Sequence, residues 1–285
     1  MQLGVNHAEY ASCLVKLSRL YEIQKRYAEA NALLVEVESL EKERLEKAVT
    51  FLSETELAKY TALFIEGGDE LASFALNRYL VADLNNTNEL AKLLFDHSLF
   101  YKGFLLTRAM QLNARLLNAT PEQKEINSRL KQYKLELARD LTLPFDKQKG
   151  VVDLEEKMNS TEKELSRSFI NTDQLSTPMS WKDLQSILKA DEAAIEFIDF
   201  GIHFPEFKDS IMYAALILKA GESSPHFIPL FEERSLDSLF GSDISKRMDY
   251  VNALYSLENR GAVLVETPRR SLYEIIWKGL EKELN

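Results

Sequence analysis

Cysteine is nearly absent: Cys13 is the one thiol in 285 residues. A single cysteine excludes an intramolecular disulfide framework and fits a reducing compartment. Long apolar runs are missing as well. No stretch approaches about 18 consecutive apolar residues, so no membrane span is expected. The start, Met1-Gln2-Leu3-Gly4, lacks a charged region followed by an apolar run, so no secretory signal is expected. These absences together point to the cytoplasm. Positive charge is in deficit: Lys plus Arg is 35 against 45 Asp plus Glu, a net −10. Broad contact with nucleic acid needs clustered cations to displace counterions. The basic residues from Lys124 to Arg139 are interleaved with Glu125 and Glu136 and read as a solvated helix face. No nucleic-acid or membrane partner is expected.

Catalytic signatures are equally scarce. There is no G-x-x-x-x-G-K, no G-x-G-x-x-G and no G-x-S-x-G. The four histidines, His7, His97, His203 and His226, show no metal-ligand spacing, and neither a metal nor a cofactor is expected. Asp96 could orient His97, but adjacent residues on a helix diverge, so His97 reads as structural. His203 falls in a loop spanning Gly201 to Asp209, and His226 begins a strand. Cys13, beside Leu14, reads as a packing cysteine. No catalytic, cofactor-binding or metal-binding residue is assigned.

What is present is an ordinary globular composition, 45% hydrophobic and 28% charged, long enough for about two domains. Helical periodicity dominates to about residue 170. His7 to Val37 resembles one tetratricopeptide repeat, whose pattern is W-x-x-L-G-x-x-Y, then A-x-x-x-F, then P. The positions fall on Leu14, Leu17, Ser18, Tyr21, Ala30 and Leu34, with Lys42 departing from the closing proline. Such a helix pair must stack on neighbours and commonly offers a groove to another protein. Leu3-Gly4 and His7 read as a join to a preceding repeat.

Ser53-Glu54-Thr55-Glu56 is a capping box for a third helix, with Gly67-Gly68 as its stop. Asp69 caps a fourth helix to about Leu84, and this second pair reads as a divergent repeat. Asn85 to Asn88 reads as a turn, followed by one long helix from Glu89 to Leu117. Thr120-Pro121-Glu122-Gln123 restarts a helix with cap, N1 proline and capping-box glutamine together. Leu154 to Arg167 is a further charged helix. A polar linker at 171–180 precedes a short helix capped by Ser180. Three strands are expected over Ala194–Phe200, Ile211–Leu218 and His226–Phe231. The second is apolar enough to be buried on both faces, and Pro229 marks the third as an edge or bulged strand. A helix over Leu236–Leu257, a short strand over Ala262–Glu266 and a terminal helix over Ser271–Leu284 complete the reading. The fold class expected is α+β, mainly α: repeat-like helical pairs over 1–84, long irregular helices over 85–170, and a small mixed region over 171–285.

The order of several short segments carries a wider resemblance. These are Phe51-Leu52-Ser53-Glu54, Tyr101 to Leu106, Glu162 to Arg167, Ser180 to Leu184, Ala193 to Phe197, Tyr213 to Leu216 and Ser271 to Trp277. Together they resemble a tetratricopeptide–CHAT protein of the Bacteroidetes type, a family similar to caspases and separase. The resemblance implies cysteine-dependent proteolysis by a His–Cys dyad, controlled by repeats that receive a partner. The dyad would follow the Leu272-Tyr273…Trp277 segment, and no cysteine lies beyond Cys13. The chain is therefore expected to be the regulatory and interaction part, without the dyad, binding a protein or peptide in the repeat groove. The alternative is a helical adaptor with a small β appendage and no link to proteolysis. Self-association through a sheet edge is expected at Ala194–Phe200 or Ile211–Leu218.

Overall fold

The computed structural model describes residues 8–65, 67–148, 150–169, 179–235 and 272–284. Among the described residues, eight α-helices precede a three-stranded antiparallel sheet, and a further helix follows it. The helices are α1 (Ala8–Ile23), α2 (Tyr27–Ala48), α3 (Glu54–Ile65), α4 (Gly67–Leu80), α5 (Leu84–Leu117), α6 (Pro121–Leu141), α7 (Val151–Ser168) and α8 (Trp181–Ile187). The strands are β1 (Ala193–Ile202), β2 (Lys208–Lys219) and β3 (His226–Glu232), and α9 is Leu272–Leu284. The join at Leu3, Gly4 and His7, most of the linker at 171–180, the helix over 236–257 and the strand over 262–266 lie outside the described residues.

The chain forms two compact units, each assembled from segments distant in sequence: Met1–Gly67 with Leu99–Met179, and Gly68–Ser98 with Ser180–Asn285. These units cut across the sequential stretches 1–84, 85–170 and 171–285. They also divide the pair read as a divergent repeat, because α3 belongs to the first unit and α4 to the second.

In the first unit, α1 and α2 form a helical hairpin. Ala11, Leu14 and Val37 make its core, with Tyr10, Val15, Leu33 and Leu40 against it. Ser18 and Ala30 are both fully buried, small residues that let two helices approach closely. The turn between the helices is a Schellman motif. The Arg26 N–H donates to the Tyr21 carbonyl at 2.9 Å, and the Lys25 N–H to that of Glu22 at 3.0 Å. Farther along, α3 starts as its sequence demands: the Glu56 N–H donates to Ser53 Oγ at 3.3 Å, and the Ser53 N–H donates to Glu56 Oε2 at 3.0 Å. The reciprocal box at Thr120 and Gln123 likewise opens α6. Ile126 and Leu130 of α6 pack with Leu165 and Phe169 at the far end of α7.

The second unit is a layered α/β arrangement with strand order β1-β2-β3. Side chains alternate across a strand, so β2 has two faces to bury. On one face Ala215 and Ile217 pack with Ile228 of β3 and Leu280 of α9, and Phe197 meets Trp277 edge-on at 6.1 Å. On the other, Phe227 lies 6.3 Å from Phe200 and 6.4 Å from Tyr79 of α4. Ala214 to Leu218 are consequently all fully buried. Expected burial of this strand on both faces is what the structure has. Pro229 stands on β3, an outer strand, and the register shifts between Tyr213 and Ala214, which pair with Phe231 and Pro229. A proline cannot donate to the ladder, and the extra residue, Leu230, is accommodated at that point.

Several expectations need correction. Ile211–Leu218 cannot pair with another chain, because β2 is hydrogen-bonded on both sides. Gly67-Gly68 does not stop α3; it opens α4. Asp69 does not cap α4 from outside but lies in its first turn. Asn85 to Asn88 is the first turn of α5 rather than a loop, since the Asp83 carboxylate accepts from the Asn86 side chain at 2.9 Å and the Asp83 carbonyl from the Thr87 N–H at 3.0 Å. The helix before it ends not on glycine but on Ala82, in the left-handed region at φ 59°. The Asp83 N–H then donates to the Arg78 carbonyl at 3.0 Å and the Ala82 N–H to that of Tyr79 at 2.9 Å. A side chain in that conformation is strained by about 1–2 kcal/mol, offset for glycine only by its greater unfolded-state entropy. Ala82→Gly is therefore expected to raise unfolding free energy by about 0.5–1 kcal/mol; an equal or lower urea midpoint would contradict the strain argument.

Candidate functional site

The helices of the first unit line an open pocket of about 220 Å³. The α2–α3 connection contributes Val49 and Leu52, α5 contributes Leu105 and Leu112, and α6 and α7 contribute Leu130 and Leu165. This apolar lining follows from the inward stripes of four helices that cannot all meet at one point. Polar side chains complete the wall. Glu162 Oε2 accepts from the Glu54 N–H at 2.9 Å, at the start of α3. Its Oε1 receives Lys134 Nζ at 2.7 Å, and Lys134 also reaches Glu54 Oε2 at 3.4 Å. Partial burial works against the Lys134 charge, but the bond to Glu162 and the nearby Glu54 outweigh it and hold the ammonium pKa above its ordinary value. Arg108, on α5, donates from Nη1 to Gln111 Oε1 at 2.9 Å, lies 5.1 Å over the Phe104 ring, and places Nη2 3.9 Å from Glu46.

A second cluster of the same unit is acidic. Glu38 is buried, with Lys42 Nζ 3.6 Å away. Glu41, one turn on, is partly buried; burial first, and the Glu38 charge next, push its carboxyl up to about 7 against the pull of Arg44, Tyr101 and Lys42. Tyr101 is buried beside it, and burial together with the two carboxylates raises the phenol well above its ordinary value.

The repeat-signature residues divide. Leu14, Ser18, Ala30 and Leu34 are buried, Tyr21 is half-buried, and Leu17 is exposed. The contact stripe of α1 runs through Ala11, Leu14 and Ser18, which places Leu17 at its margin. Cys13, expected to pack, is exposed, because it is one residue, about 100° around the helix, from Leu14. Leu20 and Ile23 are exposed too, so α1 carries an apolar face beyond the one it buries against α2.

In the second unit, residues with chemical potential serve the backbone. Asp69 Oδ2 accepts from the Gly201 N–H at 3.0 Å. Ser73 Oγ donates to the Gly201 carbonyl at 3.2 Å and accepts from the His203 N–H at 3.0 Å. These bonds fix the register shift between Gly201 and Ile202 onto α4. Asp96 Oδ1 accepts from the Trp181 N–H at 2.6 Å at the start of α8, and His97 is buried with Nε2 close against Gly68. His226 lies between Glu222 and Glu283, each at 3.3 Å, so it ties β3 to α9. No cluster of three or more metal-ligating side chains exists among the described residues. None of the described helices is long and apolar enough to cross a membrane.

Sequence reading missed the cavity wall and the Glu38–Glu41–Tyr101 cluster. A signal for the latter was available. Leu34, Glu38, Glu41 and Leu45 follow i, i+4, i+7, i+11, so two carboxylates occupy positions of a core stripe. No comparable signal marks Arg108, Lys134 or Glu162, whose meeting depends on three helices distant in sequence. Compared with protein-family models, with curated proteins and with solved structures, the chain matches none.

Proposed function

We propose that this protein works by binding another protein, as the regulatory and interaction part of a system of the tetratricopeptide–CHAT kind, and does not itself hydrolyse peptides. The observation that supports this reading is the α1–α2 hairpin. Small residues, Ser18 and Ala30, are buried at its interface, while Leu17, Leu20 and Ile23 form an exposed apolar face on α1. A helical hairpin with an unburied apolar strip is what a repeat presents to a neighbouring helix or a partner peptide. Asp96 and Ser73, the side chains nearest to catalytic types in the second unit, hold backbone N–H groups instead.

The test is selection of binders from a random peptide library on the whole chain. Enriched peptides are expected to bind the native chain and to lose about tenfold or more in affinity to a Leu17→Glu/Leu20→Glu variant of unchanged melting temperature. Enriched peptides indifferent to the double substitution would remove the hairpin from the binding surface. Peptide hydrolysis abolished by Cys13→Ser would overturn the non-catalytic part of the reading.

A further inference from the structure

The part of α5 that belongs to the first unit has two apolar sides. One is occupied: Phe100, Tyr101 and Phe104 pack with Leu45 and Leu57, and Leu112 and Leu116 pack against the core around Leu165. The other is open. Leu106 is 65% exposed, Met110 63% and Leu117 81%. Steps of about 100° per residue place these three within about 40° of one another and more than about 100° from Leu112. With Leu99, Gly103 and Asn113 they recur at alternating spacings of four and three residues, the seam along which one helix packs on another.

Charge selects the occupant. The chain has 45 carboxylate side chains, yet none stands between Asp96 and Glu122. Of the cations in that stretch, Arg108 and Arg115 line the pocket on the occupied side, and Lys102 lies at the margin beside Gly103. The exposed positions flanking the seam are Thr107, Ala109 and Ala114. A two-fold contact sets a strip against its own copy, so a charge within the strip would meet its like at short range. A face built for a different protein can carry charges that the partner complements. A seam without charge, in a chain of net −10, meets the condition for self-pairing. Gly103, Thr107 and Ala114 let two backbones approach, and one asparagine in a seam is a device that fixes register.

We infer that two copies of this chain pair along α5, with the seam of Leu106, Met110 and Leu117 packed against its counterpart across a two-fold axis. The seam from Leu106 to Leu117 is about 18 Å long and about 10 Å wide, smaller than a standard interface of roughly 800 Å² per partner. The dimer therefore belongs to the weak, exchanging class. The inference does not depend on the protein-binding role of the α1 face.

Sedimentation equilibrium of the whole chain, under reducing conditions and from about 1 to 200 µM, tests it. A monomer–dimer equilibrium is expected, with a dissociation constant on the order of 10 µM. Met110 is exposed, so Met110→Glu and Met110→Lys should each keep the melting temperature and weaken the dimer about tenfold or more. Mixing the two variants should restore dimers, because opposite charges then meet across the axis. Leu117→Glu should act as Met110→Glu does, and Leu17→Glu/Leu20→Glu should leave the dimer intact. The proposal is overturned if the chain stays monomeric throughout, if Met110→Glu leaves the dimer unchanged, or if the mixture does not recover it. Loss of the dimer in Leu17→Glu/Leu20→Glu would overturn it by moving the contact to α1. A peptide that binds the monomer and is lost with Met110→Glu would overturn it by assigning the seam to another protein.

Discussion

Replacing Glu41 by glutamine is expected to stabilise the protein above neutral pH and to leave it nearly unchanged in mild acid. In the folded chain, burial and the Glu38 carboxylate raise the Glu41 carboxyl from an ordinary 4.5 to about 7. The sign follows from linkage. A carboxyl whose folded pKa is raised binds its proton more tightly in the native state than in the unfolded one. The associated stability is fully present below pH 4.5, where both states are protonated, and is lost as pH rises to about 7. Above that, both states are ionised and no further change arises from this group. A shift of this size corresponds to about 3 kcal/mol. Glutamine keeps the shape and can still accept from the Tyr101 hydroxyl, but it has no charge to desolvate. Urea unfolding of both proteins from pH 4.5 to 8.5 isolates the effect as their difference, because other titrating groups are shared. The curves should converge near pH 4.5 and separate by about 3 kcal/mol at pH 8. Parallel curves would show that Glu41 is solvated in the folded state.

That prediction concerns a residue whose role was written in the sequence but masked by its setting. Helical spacing identified α2 correctly, and its apolar positions Ala30, Leu34 and Val37 are buried. The same spacing places Glu38 and Glu41 inward, and charge pattern alone would have sent them to solvent. Capping boxes were legible because they are local: Ser53 with Glu56, Thr120 with Gln123, and Ser180 with Asp183 all form. The strands were legible because apolar runs flanked by turn residues have few alternatives. What was not legible required knowledge of distant partners. Leu17, a position of the repeat signature, is exposed, since α1 is wider in apolar surface than its contact with α2. The helix end at Ala82 was invisible because it uses the left-handed conformation without glycine. The division into two units depends on segments more than a hundred residues apart, such as Ser73 and Gly201, which no local pattern reports.

Arg78 is the strongest case of such a hidden constraint, and its removal is expected to have the largest effect of any single truncation outside the apolar core. It has no solvent exposure and is the largest fully buried side chain of the described residues. Nη1 donates to the Asn86 carbonyl at 3.0 Å, and the Arg78 carbonyl accepts from the Asp83 N–H at 3.0 Å. The residue thus joins the last turn of α4 to the first turn of α5 across the strained Ala82. Arg78→Ala leaves the Asn86 carbonyl without that donor and opens a cavity the length of the aliphatic stem. Buried charged networks lose about 3–5 kcal/mol when one member is deleted, and cavity formation acts in the same direction. Arg78→Met separates the two contributions. Methionine refills most of the volume but donates nothing, so it should recover the packing part and still cost about 1–3 kcal/mol for the unpaired carbonyl. Thermal and urea unfolding at neutral pH give both values. If Arg78→Met were as stable as the parent, the guanidinium would be a filler of space, and the α4–α5 turn would owe its geometry to Asp83 and Asn86 alone. If Arg78→Ala and Arg78→Met were equally destabilised, the hydrogen bonds would account for the whole effect, and the turn would be held by its donor rather than by packing.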